Sequence, residues 1–445
     1  MWHLVAGVIG QSAGRPIGRV SVFSSGALRF AVALLAAAAL LAAVEAVPMA
    51  EEARAAVRCP VKVTQFDHES GQRFAQGGRI KRYQAAVDYP VGTTYDQSAK
   101  LVVGRYPAGA FPTLLSTWVG SRRKTGLMVQ EQQPLALGAV NGDFFTYTDI
   151  PNSNGTTTRV PVARGPMVKD GTVLHADRGR QRVVGVDENL QPFAGMMGVL
   201  GRVRSNTTSG GAAAKIQGIN WQSVQPGGVT VYTPEWQVTD RTPRPAGSAE
   251  WVINRHNKIV EIRTSQVNSG SRGAPVAPAT RVLAFSNSDV GTAANGIIGN
   301  RARVRIKQST SSGIPLRTAI GRGLPLVENG VAAPLGCDAY KSKASRPRTV
   351  VGWNKAGKWR TVTVPGRIFD GYFRNGGFGL ANLAKLAKKA GLYNAYELDG
   401  GGSTTFHTRN NKGKWTRRDL YGLDTTTGTY EREVINGLAF VQATG

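Results

Sequence analysis

The chain has 445 residues, enough for one large domain or two ordinary ones, and its hydrophobic share of 41% supplies material for a core. Two cysteines cannot build a zinc site, and the five histidines show no metal-ligand spacing. The formal net charge of +27 indicates an anionic partner or anionic surroundings, although a basic bias spread over solvated faces would give the same total.

The first 50 residues are predicted to be a signal peptide rather than part of the fold. Three arginines form a basic n-region, and Phe30 to Val44 is an apolar run of h-region length. Because this run is shorter than the ~20 apolar residues of a spanning helix, cleavage is favoured over an uncleaved anchor. We therefore expect a secreted or cell-surface protein with no stable membrane span after cleavage. Cleavage would remove three arginines and one glutamate, and the formal net charge of the mature chain would then be +25 instead of +27.

Short runs of alternating polarity predict strands along most of the remaining chain. We expect a strand-rich N-terminal segment at 56–130 and a main domain at 131–445, with an inserted strand-rich subdomain at 216–310. Within that subdomain, strands are predicted at Val231-Tyr232, Trp251–Ile253, Ile259–Ile262 and Val282–Phe285. Since few segments show a helical period, the expected fold class is α+β, a strand-rich mixed-sheet domain with few helices.

One helix is clearly predicted. The apolar positions from Leu380 to Ala390 fall on one helical face, and Gly391 is well placed as a left-handed C-terminal cap. A short strand, Tyr393 to Leu398, follows and leads into Asp399. The polar motif that begins there therefore lies just after a strand end, where α/β arrangements usually place their chemistry.

The most informative motif combines carboxylates with a glycine-rich loop. It reads Glu397-Leu-Asp-Gly-Gly-Gly-Ser-Thr-Thr405. Gly400, Gly401 and Gly402 lack Cβ atoms, so their N–H groups can converge on an anion, and Ser403 adds a hydroxyl donor. Asp399 supplies a carboxylate that can act as acid, base or nucleophile. The structural alternative is a flexible turn in which Asp399 is only an Asx cap.

A second motif, Asn141-Gly142-Asp143, follows an apolar run that ends at Val140. Asn141 is a candidate for binding sugar hydroxyls, and Asp143 is a second candidate carboxylate. The alternative is an ordinary Asn-Gly hairpin turn.

Two further motifs carry arginine. Arg348 and Thr349 lie in a β-like stretch, where an arginine can grip a phosphate with two hydrogen bonds; the alternative is a surface basic cluster. Arg432 lies near the C-terminus and is either a second phosphate ligand or the partner of a buried carboxylate. The structural alternative there is a closing strand with solvated charges.

In this order, the motifs resemble the phosphodiester glycosidase family. The resemblance runs from about Val140 to Ala439 and also includes Gly165–Gly171 and Gly321–Gly330. Asp143 departs from the small residue usual at its position in the family. The resemblance implies the fold of that family and a hydrolase that cuts the glycosidic bond of a sugar-1-phosphodiester, such as one of N-acetylglucosamine.

The resemblance also implies roles for the motif residues. Asp399 is the expected main carboxylate, with Asp143 or Glu397 as the second. The remaining residues are expected to bind the sugar and the phosphate, and they are Asn141, Arg348, Thr349, Gly400, Gly401, Gly402, Ser403 and Arg432. No metal and no cofactor are expected, since arginines and amide N–H groups supply the electrostatic stabilisation.

The expected partner is an anionic sugar-phosphate substrate or polymer, such as those of cell walls or capsules. The main alternative is a non-catalytic binder of anionic glycans or wall polymers. Nucleic acid is not expected, because no helix-turn-helix, zinc or RNP pattern is present. A phosphodiesterase that cuts the P–O bond is a further alternative, but such enzymes usually show Asp/His metal clusters, and the sequence shows none. The sequence leaves open whether Cys59 and Cys337 form a disulfide.

Overall fold

The computed structural model describes most of the chain after the predicted signal peptide. The described residues are 62–88, 97–117, 120–151, 156–177, 179–205, 213–221, 227–236, 249–264, 276–286, 296–335, 346–365, 368–369, 372–373, 377–419 and 431–443. They all belong to one unit, Val57–Gly445. The predicted signal peptide and the two cysteines, Cys59 and Cys337, lie outside the described residues.

Strands dominate the structure. In chain order, the first fourteen are β1 (Lys62–Arg73), β2 (Arg79–Asp88), β3 (Gln97–Arg105), β4 (Ala110–Ser116), β5 (Gly138–Asn141), β6 (Phe145–Pro151), β7 (Thr157–Ala163), β8 (Met167–Lys169), β9 (Thr172–His175), β10 (Gln181–Asp187), β11 (Pro192–Ser205), β12 (Ala214–Ile219), β13 (Val229–Tyr232) and β14 (Ala249–Asn254). The next fourteen are β15 (Ile259–Thr264), β16 (Thr280–Phe285), β17 (Ala302–Thr310), β18 (Leu316–Gly321), β19 (Pro325–Glu328), β20 (Val331–Ala332), β21 (Arg348–Trp353), β22 (Trp359–Val364), β23 (Ile368–Phe369), β24 (Tyr372–Phe373), β25 (Asn394–Glu397), β26 (Phe406–Arg409), β27 (Trp415–Arg417) and β28 (Asn436–Gln442). Among the described residues, the helices are α1 (Thr125–Gln132), α2 (Leu380–Lys389) and two 3-10 turns, Ala75–Gly77 and Gly401–Ser403.

The strands form three large sheets and two isolated pairs. The eight-stranded sheet has the order β1-β2-β3-β22-β21-β25-β19-β20, and the five-stranded sheet has the order β27-β26-β5-β28-β4. The eleven-stranded sheet has the order β15-β14-β16-β13-β12-β11-β10-β18-β8-β9, with β17 paired to β11. In that sheet β12 and β13 are parallel and their neighbours are antiparallel, so the sheet is mixed. The predicted strand-rich α+β class with few helices is confirmed.

Strands from the two ends of the chain share sheets. β3 pairs with β22, and β4 pairs with β28. The strands predicted inside 216–310 are confirmed as β13 to β16, and all of them lie in the eleven-stranded sheet. The division of the chain at 131 and the insertion at 216–310 stay predictions. Neither helix of the described part of the chain is long and apolar enough to cross a membrane.

Helix α2 covers one face of the eight-stranded sheet. Leu380, Leu383 and Leu386 are fully buried in a core cluster with strand residues of that sheet. At its end, Gly391 has φ 86 and donates to the Lys388 carbonyl at 2.9 Å. The next N–H, that of Leu392, donates to the Ala387 carbonyl at 3.1 Å, which completes a Schellman cap. The predicted helix and its glycine cap are confirmed.

The cap turns the chain directly into the middle of the sheet. β25 enters between β21 and β19, with Val350 opposite Glu397. The predicted strand is thereby confirmed, and Glu397 and Asp399 lie where this interior strand of the eight-stranded sheet ends.

Helix α2 offers a matched pair of variants for testing this packing. We expect Leu383→Ala to lower the free energy of unfolding by roughly 2–5 kcal/mol, because it leaves a cavity between the helix and the sheet. Lys388→Ala, on the exposed face, should change it by less than about 0.5 kcal/mol. Urea denaturation with unchanged m-values measures both. Equal losses for the two variants would contradict the packing.

Candidate active site

The eight-stranded and five-stranded sheets meet where β25 and β5 end. The Asp399 N–H donates to the Gly142 carbonyl at 2.9 Å, and the Leu398 N–H donates to the Thr349 carbonyl at 2.9 Å. Because β5 pairs with β26 and β28, the segment Asn141-Gly142 is a junction between sheets and not a hairpin turn. The junction brings the predicted carboxylates of Asp143 and Asp399 together.

The side chain of Asn141 links the two sides of this junction by hydrogen bonds. It is fully buried, and its Nδ2 donates to the Asp399 carbonyl at 2.7 Å. Its Oδ1 accepts hydrogen bonds from the Thr349 hydroxyl at 2.7 Å and from the Thr405 N–H at 3.1 Å. Asn141 and Thr349, which the sequence predicted as substrate ligands, therefore hold the Asp399 loop in place in this structure.

Asn436, at the start of β28, holds the other side of the junction. Its Oδ1 accepts from the Asp143 N–H at 2.9 Å, and its backbone carbonyl accepts from the Gly142 N–H at 3.1 Å. No role was predicted for this residue from the sequence. The available signal was its position at the close of the last motif, just before the apolar residues that begin at Leu438.

The carboxylate of Asp143 is buried at this junction. Its Oδ1 accepts from the Phe144 N–H and its Oδ2 from the Gly165 N–H, each at 2.7 Å. Glycine leaves room for it, since a Cβ on Gly321 would lie 2.2 Å from Asp143 Oδ2. Burial raises the pKa of Asp143 to about 7, despite the two N–H donors, and the charge of Asp399 adds to the rise. Asp143 is thus poised to exchange a proton near neutral pH.

The glycine-rich loop is a defined 3-10 turn, Gly401–Ser403. The Gly400 N–H donates to Asp399 Oδ1 at 2.9 Å, and the Gly401 N–H donates to the Pro347 carbonyl at 2.9 Å. Both N–H groups are therefore already hydrogen-bonded within the protein. Gly402 lies between Gly401 and the buried Ser403 in the same turn, and an anion-binding role for Gly402 stays a prediction.

Asp399 itself is only partly buried. Burial raises the pKa of the Asp399 carboxyl, while the Ser403 hydroxyl and the charges of Arg432 and Arg164 lower it. The net shift is upward. The Asp399 carboxyl thus lies within the field of two cations, Arg432 and Arg164.

Arg348 and Glu397 form a buried ion pair beside the loop. Arg348 Nη1 lies 3.0 Å from Glu397 Oε1, and Arg348 Nε donates to the Phe378 carbonyl at 3.1 Å. The surface-cluster alternative is therefore wrong for Arg348. Burial lowers the pKa of Arg348, and the Glu397 charge opposes that effect. With two donors committed to protein oxygens, Arg348 holds Glu397 in position.

A cleft of about 400 Å³ opens beside Asp143 and Glu397. Four arginines line it, namely Arg164, Arg180, Arg182 and Arg322. The Arg322 guanidinium lies 4.2 Å above the Tyr396 ring and donates to the Gly323 carbonyl at 3.2 Å. Burial lowers the pKa of Arg322 to about 10, so it keeps its charge at neutral pH.

None of these cleft arginines was predicted from the sequence to be a ligand. Arg164 directly precedes Gly165, and Arg322 directly follows Gly321, the two glycines that make room for Asp143. Adjacency to those motif glycines was the signal that could have identified them.

The C-terminal motif sends its two charged side chains to different places. The Arg432 guanidinium lies 4.9 Å above the Phe145 ring and lowers the pKa of Asp399, so it belongs to the site. Glu431 instead accepts from the Gly126 N–H at 3.0 Å and contacts His407 Nε2 at 3.2 Å, both buried. Burial raises the pKa of Glu431, but the His407 contact, the Gly126 N–H and the charge of Arg417 together outweigh it, and the net shift is downward.

Among the described residues, no group of three or more His, Cys, Asp and Glu side chains is placed to hold a metal ion. Chemistry without a metal or cofactor stays a prediction.

Comparison with known proteins identifies relatives of the sequence and of the fold. Residues 247–441 match the phosphodiester glycosidase family. No curated protein sequence matches the chain. A hypothetical protein from Synechocystis superposes with a TM-score of 0.58 at 16% identity, covering 86% of this chain and 68% of its own. A candidate exported protein of Burkholderia pseudomallei gives 0.61 at 15% identity, covering 87% and 100%.

The catalytic domain of zebrafish N-acetylglucosamine-1-phosphodiester alpha-N-acetylglucosaminidase superposes with a TM-score of 0.41 at 12% identity, over 85% of this chain and 88% of its own. That superposition is too loose to support an argument. The two bacterial structures share the fold of this chain, and at their low identities they show nothing further.

The sequence match and the site coincide. The matched residues 247–441 include Glu397, Asp399 and Arg432, while Asn141 and Asp143 lie before them and join them through the sheet junction. The resemblance to the phosphodiester glycosidase family that the motifs predicted is thereby confirmed for residues 247–441.

Proposed function

We propose that the protein is an exported hydrolase that cuts the bond between C1 of a sugar and the oxygen of a phosphodiester. One observation carries the proposal: a cleft lined by four arginines lies against Asp143, and Asp399 is close enough for its charge to raise the pKa of Asp143. The family match over residues 247–441 supports glycosidase chemistry. The predicted signal peptide supports export.

In this proposal the cleft arginines hold the phosphate. A guanidinium presents a planar fork of donors that matches phosphate oxygens, and it stays charged at all physiological pH values. Arg164 is exposed at the cleft and Arg322 lies deeper in it. They take the role that the sequence gave to Arg348, because the charge of Arg348 is neutralised by the Glu397 carboxylate. Arg322 instead donates to the neutral carbonyls of Val183 and Gly323. Neutralising the phosphate makes it a better leaving group.

The two aspartates divide the proton transfers. The C1–O bond breaks through an oxocarbenium-like transition state, and its electron pair goes to the phosphate oxygen. Asp143, protonated below its pKa of about 7, gives its proton to that oxygen. Asp399, within the field of Arg432, removes a proton from the water that attacks C1. Glu397, held by Arg348, lines the cleft as a fixed carboxylate.

The substrate class follows from the charge of the cleft. A sugar-1-phosphodiester brings one negative charge to the arginines and one sugar ring to the aspartates. N-acetylglucosamine is the proposed sugar, and a wall or capsule polymer is the proposed source of the diester. The competing proposal, a binder without turnover, predicts phosphate binding with no release of sugar.

Asp399→Asn tests the reaction directly. We expect the wild-type protein to release free N-acetylglucosamine from UDP-GlcNAc or from a small α-GlcNAc-1-phosphodiester. The variant should lose at least about 10³-fold in kcat/KM, because its amide cannot accept the proton from water. Chromatography of the products measures both the rate and the bond that is cut.

Asp170→Asn is the matched control, since the Asp170 side chain is 64% exposed on a surface turn. It should keep the wild-type rate. Release of N-acetylglucosamine 1-phosphate would show P–O cleavage and overturn the proposal. Absence of any turnover, with phosphate binding retained, would favour the binder.

The raised pKa of Asp143 predicts a pH dependence. The acid form is the active form, so kcat/KM should fall as pH rises through about 7, the pKa of Asp143. Asp143→Asn should lower the rate roughly 10²- to 10⁴-fold and remove that alkaline limb. A pH–rate profile of the two proteins measures this. An alkaline limb that survives in the variant would assign the proton to another group.

Arg164→Gln tests the phosphate contact without any need for turnover. Calorimetry should show N-acetylglucosamine 1-phosphate binding about 10- to 100-fold more weakly, the effect of losing one charge-assisted hydrogen bond. Binding of N-acetylglucosamine itself should stay within about twofold. Arg164→Lys, which keeps the charge, should retain part of the affinity. Equal losses for sugar and sugar phosphate would be inconsistent with a phosphate ligand.

A further inference from the structure

Away from the cleft, two long strands form a strongly basic ribbon. β11 and β17 pair without a register shift, with Arg202 opposite Arg305 and Arg204 opposite Arg303. Lys307 continues the row on β17, and Lys215 of β12 lies opposite Arg202 on the other side. All are exposed. The cationic ribbon, as defined here, consists of Arg202, Arg204, Lys215, Arg303, Arg305 and Lys307.

The alternation of the strands explains this face. Val203, Val304 and Ile306 point to the opposite side and pack in the core of the eleven-stranded sheet. Successive strand residues face opposite ways, so every second residue of the pair presents a cation to solvent. β11, β12 and β17 contain no Asp or Glu. Within the described part of the chain, no acidic residue forms an ion pair with a ribbon cation, so the like charges are left to repel one another.

A groove of about 580 Å³ opens beside four of the six ribbon cations. Arg202, Lys215, Arg305 and Lys307 line it together with apolar Leu200, which is 62% exposed. Cationic side chains beside apolar ones suit a chain in which anionic groups alternate with carbon-rich units. Neither β11 beyond Phe193 nor β17 carries an aromatic residue, so the groove lacks the stacking platforms that hold single-stranded nucleic acid.

The ribbon is physically continuous with the cleft. Met196 of β11 lines the cleft, and Leu200 and Arg202 follow on the same face of the same strand. At about 3.3 Å per residue, Arg202 lies roughly 20 Å from Met196. Arg180, another cleft residue, reaches across to β17, where its Nε and Nη2 lie 3.3 and 3.1 Å from the Ser309 hydroxyl. Cations therefore follow one surface from the cleft to the end of the ribbon.

We infer that the cationic ribbon binds an extended phosphodiester polymer and leads it to the cleft. Same-face residues of a strand are about 7 Å apart, so the ribbon offers regularly spaced counter-charges over several repeat units of such a polymer. The identity of the sugar that enters the cleft rests on the proposed function, but binding along the ribbon does not. The inferred ligand is a flexible polyanion without bases.

The test is a binding measurement on the full chain carrying Asp399→Asn, which removes turnover from the experiment. The ribbon variant adds Arg202→Gln, Arg204→Gln, Arg303→Gln and Arg305→Gln. The matched control instead removes four exposed lysines on other elements, with Lys388→Gln, Lys389→Gln, Lys412→Gln and Lys414→Gln. Both variants lose the same net charge. The ligands are a synthetic poly(glycerol phosphate) and an oligothymidylate of equal charge, and salt is varied.

We expect the ribbon variant to bind poly(glycerol phosphate) about 10²- to 10³-fold more weakly at low salt than the control variant, and to show a log–log salt slope smaller by about 3. Restoring charge with Arg→Lys at the same four positions should restore most of the affinity. Equal affinities of the ribbon and control variants would overturn the inference. Tighter binding of oligothymidylate than of poly(glycerol phosphate) would overturn the assigned ligand in favour of nucleic acid. Failure of the proposed hydrolysis would leave all these outcomes unchanged.

Discussion

The site depends on one buried amide. Asn141 ends a strand of the five-stranded sheet, yet its side chain bonds to Thr349 of the eight-stranded sheet and to both ends of the loop from Asp399 to Thr405. A buried amide that loses its partners costs about 1–3 kcal/mol for each unsatisfied group, so the two sheets cannot slide past each other without breaking this set. The relative position of Asp143 and Asp399 is therefore a property of the sheet junction and not of a flexible loop.

That fixed junction also sets the electrostatics. Asp143 is buried between Gly165 and Gly321, and burial raises its pKa more than its two N–H donors lower it. Asp399 is more exposed and lies within the field of Arg432 and Arg164. Two neighbouring carboxyls with different surroundings titrate differently, which is how one site supplies both an acid and a base. Asp143, the residue that departs from the family pattern, is accommodated because Gly165 and Gly321 have no side chains. The departure thus fits the structure around it.

Local signals in the sequence were enough to predict helix α2, its glycine cap and the strand that ends at Glu397, because a helical apolar period and a left-handed glycine are encoded by near neighbours. The order of the motifs was enough to predict that Asp143, Glu397 and Asp399 belong to one site. The partners of Arg348 could not be predicted, since they depend on how β21 and β25 align. The cleft arginines were missed for the same reason: Arg164 and Arg322 are far apart in sequence and become neighbours only when β8 pairs with β18.

The net charge of the chain does not show where its cations lie in the structure. A charge of +27 is equally compatible with scattered solvated cations and with a concentrated site. The segment from Arg303 to Lys307 has a cation at every second position, a period that already places them on one face of a strand. Only the register with β11 adds Arg202 and Arg204 across from them, and only the length of β11 connects that face to the cleft at Met196. One strand thereby joins the surface that we propose binds a polyanion to the arginine-lined cleft beside Asp143 that we propose acts on one of its units.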